Sequence, residues 1–297
     1  MIVSASDLVE CLQAYYDHGL PRGDLTGWPS VDRHYTVRPG QMTIVTGIPS
    51  HGKSEWLDAL MVNLTPHWQF VVFSPENFPH ELHISKILEK WHRKPFGPGP
   101  VERIQPDELM DGIGYMDHCF GFFKPALDLQ VPNVVSILNE AAAWFEKRPP
   151  GQKRGVVIDP WNELDHMRPQ ALSETEYISQ TLSSVRQWAR EFDVHVWIVA
   201  HPMKLQKDRD GGYPVPTPYD ISGSAHWRNK ADNCLAIWRD VVADNQVVQL
   251  HVQKVRFKHL GRAGVVELRY DRVTGRYDEK PSLVDVSNYR KVSGGDD

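Results

Sequence analysis

The stretch TGIPSHGKSEW, Thr46 to Trp56, leaves a short apolar run and opens onto what reads as a helix. It fits the phosphate-cradling spacing G-x-x-x-x-G-K-[ST]. Gly47 and Gly52 let a backbone wrap around phosphates without Cβ obstruction, with Ile48, Pro49, Ser50 and His51 as the span between them. Successive N–H groups and the start of the helix attract an anion. Lys53 adds a positive charge, Ser54 offers a hydroxyl to Mg²⁺, and Glu55 follows as the next residue of the nucleotide-binding segment. A Gly-rich turn capped by Ser54 is the competing reading, and the strand before it and helix after it favour the phosphate loop.

Outward from this loop the chain alternates. The apolar runs MTIVTG, FVVFS, GVVID and VHVWIVA have strand length. Helical patterns lie between them at about 54–64, 79–92, 134–147 and 174–192. Such alternation predicts an α/β fold with a mostly parallel sheet and helices on both faces. KPFGPGPVERIQPDE reads as a loop. After His201 comes a polar Gly/Pro-rich loop, then the strand-like NCLAIWRD, VVQLHVQKVRF and GVVELRYD. Residues 4–17 read as a short leading helix. The expected organisation is a linker helix and linker over 1–24, one ATPase domain over 25–281 and a polar tail over 282–297.

Composition narrows the class. The 297 residues are 41% hydrophobic, enough for a buried core, and the net charge of -5 argues against a surface that coats nucleic acid everywhere. Three cysteines, Cys11, Cys119 and Cys234, have neither metal spacing nor an even disulfide count, which fits a reducing intracellular setting. No apolar run approaches the roughly 20 residues that span a bilayer, and no signal peptide is visible.

Three strand ends carry further chemistry. Asp159, ending RGVVIDP, can hold the water shell of a metal or merely cap a turn. Glu76, ending VVFSPEN, can polarise an attacking water or sit solvated in a turn. His201, beyond HVWIVA, can hydrogen-bond a γ-phosphate or simply cap its strand.

In this order the motifs resemble those of the RecA-like motor domain of DnaB-type, superfamily 4 replicative helicases, nearest in form to the phage primase-helicases and Twinkle. The similarity runs from about residue 25 to 277. FSPEN resembles the second motif, VVIDPWNELD the Walker B segment, and VWIVAHP the third motif in its histidine form. DISGSAHWRNKADNCLAIWRD resembles the fourth motif, and VQKVRFKHLGRAGVVELRYDRVTGRYD the closing segment.

The resemblance implies a RecA-like P-loop NTPase core using Mg²⁺ with ATP or another NTP or dNTP. It makes Lys53, Glu76, Asp159 and His201 catalytic, with Ser54 and Asp159 at the metal. It implies that Lys254 and Arg256 reach the nucleotide of a neighbouring subunit, and that Arg239 and Tyr270 sandwich its base. The loop cations Lys204, Lys207 and Arg209 would touch single-stranded DNA. The whole would be a hexameric ring that translocates 5′ to 3′ and unwinds forked DNA, with possible primase or polymerase partners, in a bacterial or phage-infected cytoplasm. No zinc-ribbon cysteines or acidic primase motif stand ahead of residue 25, so primer synthesis is not expected of this chain. A RecA-like ATPase that binds single strands without unwinding them is the alternative.

Overall fold

The computed structural model describes residues 2–124, 131–207, 211–223, 225–241 and 246–279. Its strands are β1 (Met42–Thr46), β2 (Trp68–Phe73), β3 (Phe120–Phe122), β4 (Lys153–Ile158), β5 (Val194–Val199), β6 (Asn233–Arg239), β7 (Val247–Val255), β8 (Gly264–Tyr270) and β9 (Tyr277–Glu279). They form one sheet in the order β3-β2-β4-β5-β1-β6-β7-β8-β9, parallel from β3 through β6 and antiparallel from β6 to β9. The helices are α1 (Val9–His18), α2 (Pro29–Asp32), α3 (Lys53–Leu64), α4 (His80–His92), α5 (Pro106–Cys119), α6 (Val134–Glu146), α7 (Glu174–Glu191) and α8 (His226–Lys230).

The four apolar runs are the four central strands because both of their faces are covered. Side chains alternate across a strand. Val45, Val72, Val157, Trp197 and Val199 thus enter a core shared with residues of α3, α4 and α5. Ile44, Val71, Val156, Val196 and Ile198 enter a second core with residues of α6 and α7. The expected α/β class and RecA-like layering are both present.

Two differences have local causes. The loop read through PDE ends in a helix, because Pro106 takes its first turn and Gln105 with Glu108 forms a reciprocal capping box. Gly112, which weakens the helical pattern in sequence, allows close packing: a Cβ there would stand 2.6 Å from Leu88 Cδ2 of α4. The leading helix forms as α1 but buries none of its residues. The expected tail, 282–297, lies outside the described residues.

A buried polar cluster fixes the amino edge of the sheet. His195 Nδ1 donates to the Arg38 carbonyl at 2.7 Å, which leaves Nε2 to accept from the Thr43 hydroxyl at 2.8 Å. Burial pushes the imidazole down to about 4, although the bond to Arg38 opposes this. A histidine held neutral in the fold but protonated near 6.5 when unfolded stabilises fully above 6.5 and loses that contribution as pH falls toward 4. Stability by urea denaturation is therefore expected to drop between pH 6.5 and 4.5, and His195→Gln to flatten that drop. Equal slopes in the two proteins would refute the assignment.

Candidate functional site

The parallel strands deliver their carboxyl ends to one edge, the position where open α/β sheets bind ligands. Following the sheet order, that edge carries Glu76 after β2, Asp159 after β4, His201 after β5, the phosphate loop after β1 and Arg239 at the end of β6. Hydrogen bonds hold these ends in register. The Thr46 hydroxyl donates to the Ala200 carbonyl at 2.8 Å, Ala200 N–H to Val45 at 2.9 Å, and Asp159 N–H to Phe73 at 2.8 Å.

Within the loop, Ser50 and Gly52 take left-handed φ values of 66° and 94°. A Cβ on Gly47 would collide with the Ile237 carbonyl of β6, so only glycine allows that close approach. Ile48 is buried, whereas Pro49 and Ser50 are exposed. Lys53 is 5% exposed and donates to the carbonyls of Gly47 and Ile48 at 3.0 and 3.2 Å. Burial pushes its ammonium down to about 8 against the pull of Asp159 and Glu76. His51 is also buried; its Nδ1 accepts the Arg239 N–H at 3.1 Å and its ring meets Trp238 edge-on. Burial, with Lys53 and Arg239 nearby, lowers the His51 pKa to about 4 and keeps the ring neutral.

The carboxylate side suits a divalent cation. Asp159 is 4% exposed and bonded to the Ser54 side chain. Its pKa rises to about 6, chiefly through burial and then through the negative charges of Asp58 and Glu76, against the lowering influence of Ser54 and Lys53. A serine hydroxyl beside a desolvated carboxylate, in excess negative charge, is the hard-oxygen donor set that Mg²⁺ takes. His201 Nε2 lies 3.7 Å from Glu76 Oε1, while its Nδ1 is enclosed and has no hydrogen-bond partner among the described residues. Burial and Lys53 push the His201 pKa down, so the ring is neutral near pH 7 and its single N–H, on Nε2, faces Glu76.

Tyr270 and Arg239 interact electrostatically, and Arg239 does the same with His51 of the loop. Glu55 turns away, to Lys90 and Lys86 of α4 and to the Tyr270 hydroxyl. Lys254 and Arg256 stand elsewhere. Asn233, opposite Val255 in the sheet, pairs with Thr43 and so marks the amino edge. The two cations therefore stand at the far end of the strands from their own phosphate loop, which starts at Gly47 beside Ile237, four residues or about 13 Å along β6 from Asn233. Lys254 Nζ donates to the carbonyls of Arg228 and Ala231, and Arg256 Nε meets Asp232 at 2.6 Å. Lys204 is exposed, Lys207 lies 5.2 Å over the Tyr213 ring, and Arg209 falls outside the described residues.

Sequence reading missed the props. Asp58 of α3 and His83 of α4 form a buried pair at 3.0 Å, which ties the helix after the phosphate loop to the helix after Glu76. The Tyr277 hydroxyl reaches the Gly52 carbonyl at 3.3 Å. Nothing in their spacing marks them, since each matters only after distant segments meet.

A phosphate loop after β1 and a desolvated aspartate after β4, with β5 between them in one parallel sheet, fit a RecA-like P-loop NTPase fold. Solved structures agree. The ATPase domain of G40P superposes with a TM-score of 0.74 at 20% identity, covering 93% of this chain and all of that one. A DnaB-like replicative helicase, solved in a study of its interactions with primase, gives 0.73 at 20% identity over 94% of this chain and 69% of that one. The RadB recombinase gives 0.55 at 13% identity over 86% and 99%. No family model matches the chain.

In sequence, the chain is similar to the chloroplastic/mitochondrial Twinkle homolog protein of Arabidopsis thaliana, 40% identical over 291 residues. The match takes in 94% of this chain and 40% of that protein, so the chain spans well under half of its relative. The likeness to DnaB-type and Twinkle proteins read from the motifs is thereby borne out.

Asp159 tests the site without reference to turnover. A carboxyl whose pKa is raised on folding weakens the fold as pH climbs to about 6, and at pH 7.5 the whole cost is present. Asp159→Asn is expected to raise the melting midpoint without nucleotide and to remove the Mg²⁺-dependent part of the ATP-induced rise in scanning fluorimetry. A lowered midpoint without nucleotide, or an intact Mg²⁺ effect, would contradict the assignment.

Proposed function

We propose that the chain is the motor domain of a replicative DNA helicase, an NTPase that works as a ring, translocates 5′ to 3′ on single-stranded DNA and unwinds forked duplex. The observation that carries this reading is the meeting of Lys53, Glu76, Asp159 and His201 at one sheet edge, in a chain 40% identical to a Twinkle homolog.

In the proposed site the loop N–H groups and Lys53 hold the β- and γ-phosphates. Ser54 and Asp159 would hold Mg²⁺, which supplies charge neutralisation at the phosphate oxygens. Glu76 orients and polarises the attacking water, and the His201 imidazole meets the γ-phosphate through its N–H and links its departure to the loop that starts at Pro202. Arg239 and Tyr270 stack on the base, a contact that reads little of its identity.

The position of Lys254 and Arg256, a strand length from their own loop, favours their acting on a neighbour's nucleotide. A guanidinium there offsets charge on the transferred phosphoryl group, so hydrolysis depends on subunit contact. Lys204 and Lys207 would contact backbone phosphates without reading sequence. A primase or polymerase partner belongs to the same proposal; the DnaB-like neighbour's description, which names primase, favours the first. Among the described residues no helix is long and apolar enough to cross a membrane. The relative's chloroplastic/mitochondrial designation lends no support to the bacterial or phage-infected host expected from the motifs.

Given a forked duplex with a 5′ single-stranded tail, NTP and Mg²⁺, the assembled protein is expected to separate the strands. DNA-stimulated hydrolysis by confirmed rings with no strand separation would favour instead the RecA-like strand-binding ATPase. Arg256→Ala is expected to bind nucleotide nearly normally but lose DNA-stimulated turnover, roughly a thousandfold if it matches known trans-acting arginines. Mixing it with Glu76→Gln should restore part of the activity. No recovery in rings demonstrated to be mixed would count against action across the interface.

A further inference from the structure

A second cluster of cations lies at the amino edge of the sheet, away from the chain's own phosphate loop and partly just beyond Lys254 and Arg256 in the chain. Arg22 of the leading linker, Arg33 just after α2, and Lys258, His259 and Arg262 of the turn between β7 and β8 line one cavity of about 310 Å³. Asp32 is the acidic side chain there, and its carboxylate already accepts the Thr26 N–H and hydroxyl at 2.6 and 2.7 Å. Among the described residues none of the four Lys and Arg side chains forms an ion pair. In a chain of net charge -5, four cations against the single Asp32 carboxylate give this concavity a local excess of positive charge.

The walls of the cavity are fixed. Thr36 sends both its N–H and its hydroxyl to the Leu260 carbonyl at 3.1 and 2.7 Å, Arg262 N–H donates to His34 at 3.0 Å, and Tyr35 bridges Gly261. A Cβ at Gly261 would collide with the His34 carbonyl, so the turn approaches the α2 segment closely only as glycine. The cations on the two sides are thereby held facing one space. Next to Lys258 in the chain, Phe257 is 41% exposed and its ring lies 5.9 Å from that of His259, which lines the cavity and whose Nε2 is enclosed without a partner among the described residues.

We infer that this cavity is a second nucleic-acid contact, in which Arg22, Arg33, Lys258 and Arg262 take backbone phosphates of a single strand while Phe257 and His259 offer a face to a base. Cations interleaved with an exposed aromatic ring are what sequence-tolerant strand binding requires, because phosphates supply the affinity and stacking accepts any base. A free polyphosphate would use the cations but not the ring. The contact lies at the sheet edge opposite the loop bearing Lys204 and Lys207, so it engages a different stretch of strand, or a different strand. The inference rests on the helicase reading for the presence of DNA and on the cavity alone for the contact.

The test uses the 297-residue chain carrying Lys204→Ala and Lys207→Ala, with binding of a labelled oligothymidylate followed by fluorescence anisotropy across a salt series. Adding Arg33→Ala and Lys258→Ala is expected to make the log–log salt slope shallower by about 1.4 and to weaken binding roughly 25-fold near 0.1 M salt, since each single-strand phosphate contact contributes about 0.7 to the slope. Arg33→Lys should retain binding. The proposal fails if the slope and affinity do not change, or if the loop variant no longer binds the oligonucleotide at all. It also fails if tripolyphosphate competes as well as oligonucleotide of equal phosphate content, which would assign the cavity to a small anion. A lower assembly mass in light scattering with unchanged oligonucleotide binding would assign it to another copy of the chain and overturn the proposal too. The forked-duplex assay with the cavity intact separates these failures from failure of the helicase reading.

Discussion

The pairing of β1 between β5 and β6 is the constraint on which the rest of the molecule depends. Met42–Val45 align with Val196–Val199 on one side, and Thr43–Thr46 with Asn233–Ala236 on the other. Since all three strands run the same way, the segments that leave them start at nearly the same height. The phosphate loop, His201 and Arg239 are neighbours because of backbone hydrogen bonding, before any side chain is considered. A one-residue slip of β1 would exchange Ile44 with Val45 between two cores of different shape, so burial on both faces defends the register.

The second layer of control lies in α3 and α4. The Asp58–His83 pair and the Lys90–Glu55 ion pair lie between the phosphate loop's helix and the helix that follows Glu76. Burial alone would raise the Asp58 pKa, yet His83, with Lys90 and Lys86, holds it below its ordinary value. Removing one member would leave its partner's polar group desolvated, so the cluster ties the spacing of the phosphate-loop and Glu76 segments to the stability of the helix pair.

Much of this was legible in the sequence for a specific reason. A glycine-lysine loop and apolar strand runs are local signals, and Glu76, Asp159 and His201 each stand directly after such a run. Their meeting then follows from parallel topology. The α5 helix was hidden because proline and glycine, read locally, signal a loop, while Pro106 serves as a first-turn residue and Gly112 as a packing contact. Asp58, His83 and Tyr277 were invisible for the opposite reason: each is an ordinary residue in its own segment and acquires a role only through contacts across 25 to 225 positions. The distance of Lys254 and Arg256 from their own loop likewise needed the strand directions.

That distance has a consequence for inheritance. Under the proposed arrangement each chain gives half a site to one neighbour and receives the complementary half from the other. A chain damaged at the phosphate loop spoils one junction, and a chain damaged at Arg256 spoils the junction on its other side. In cells making both normal and altered chains, co-assembly would spread the defect to rings that are mostly normal. Altered chains that still assemble would then behave as dominant, whereas truncated ones that cannot join a ring would be recessive.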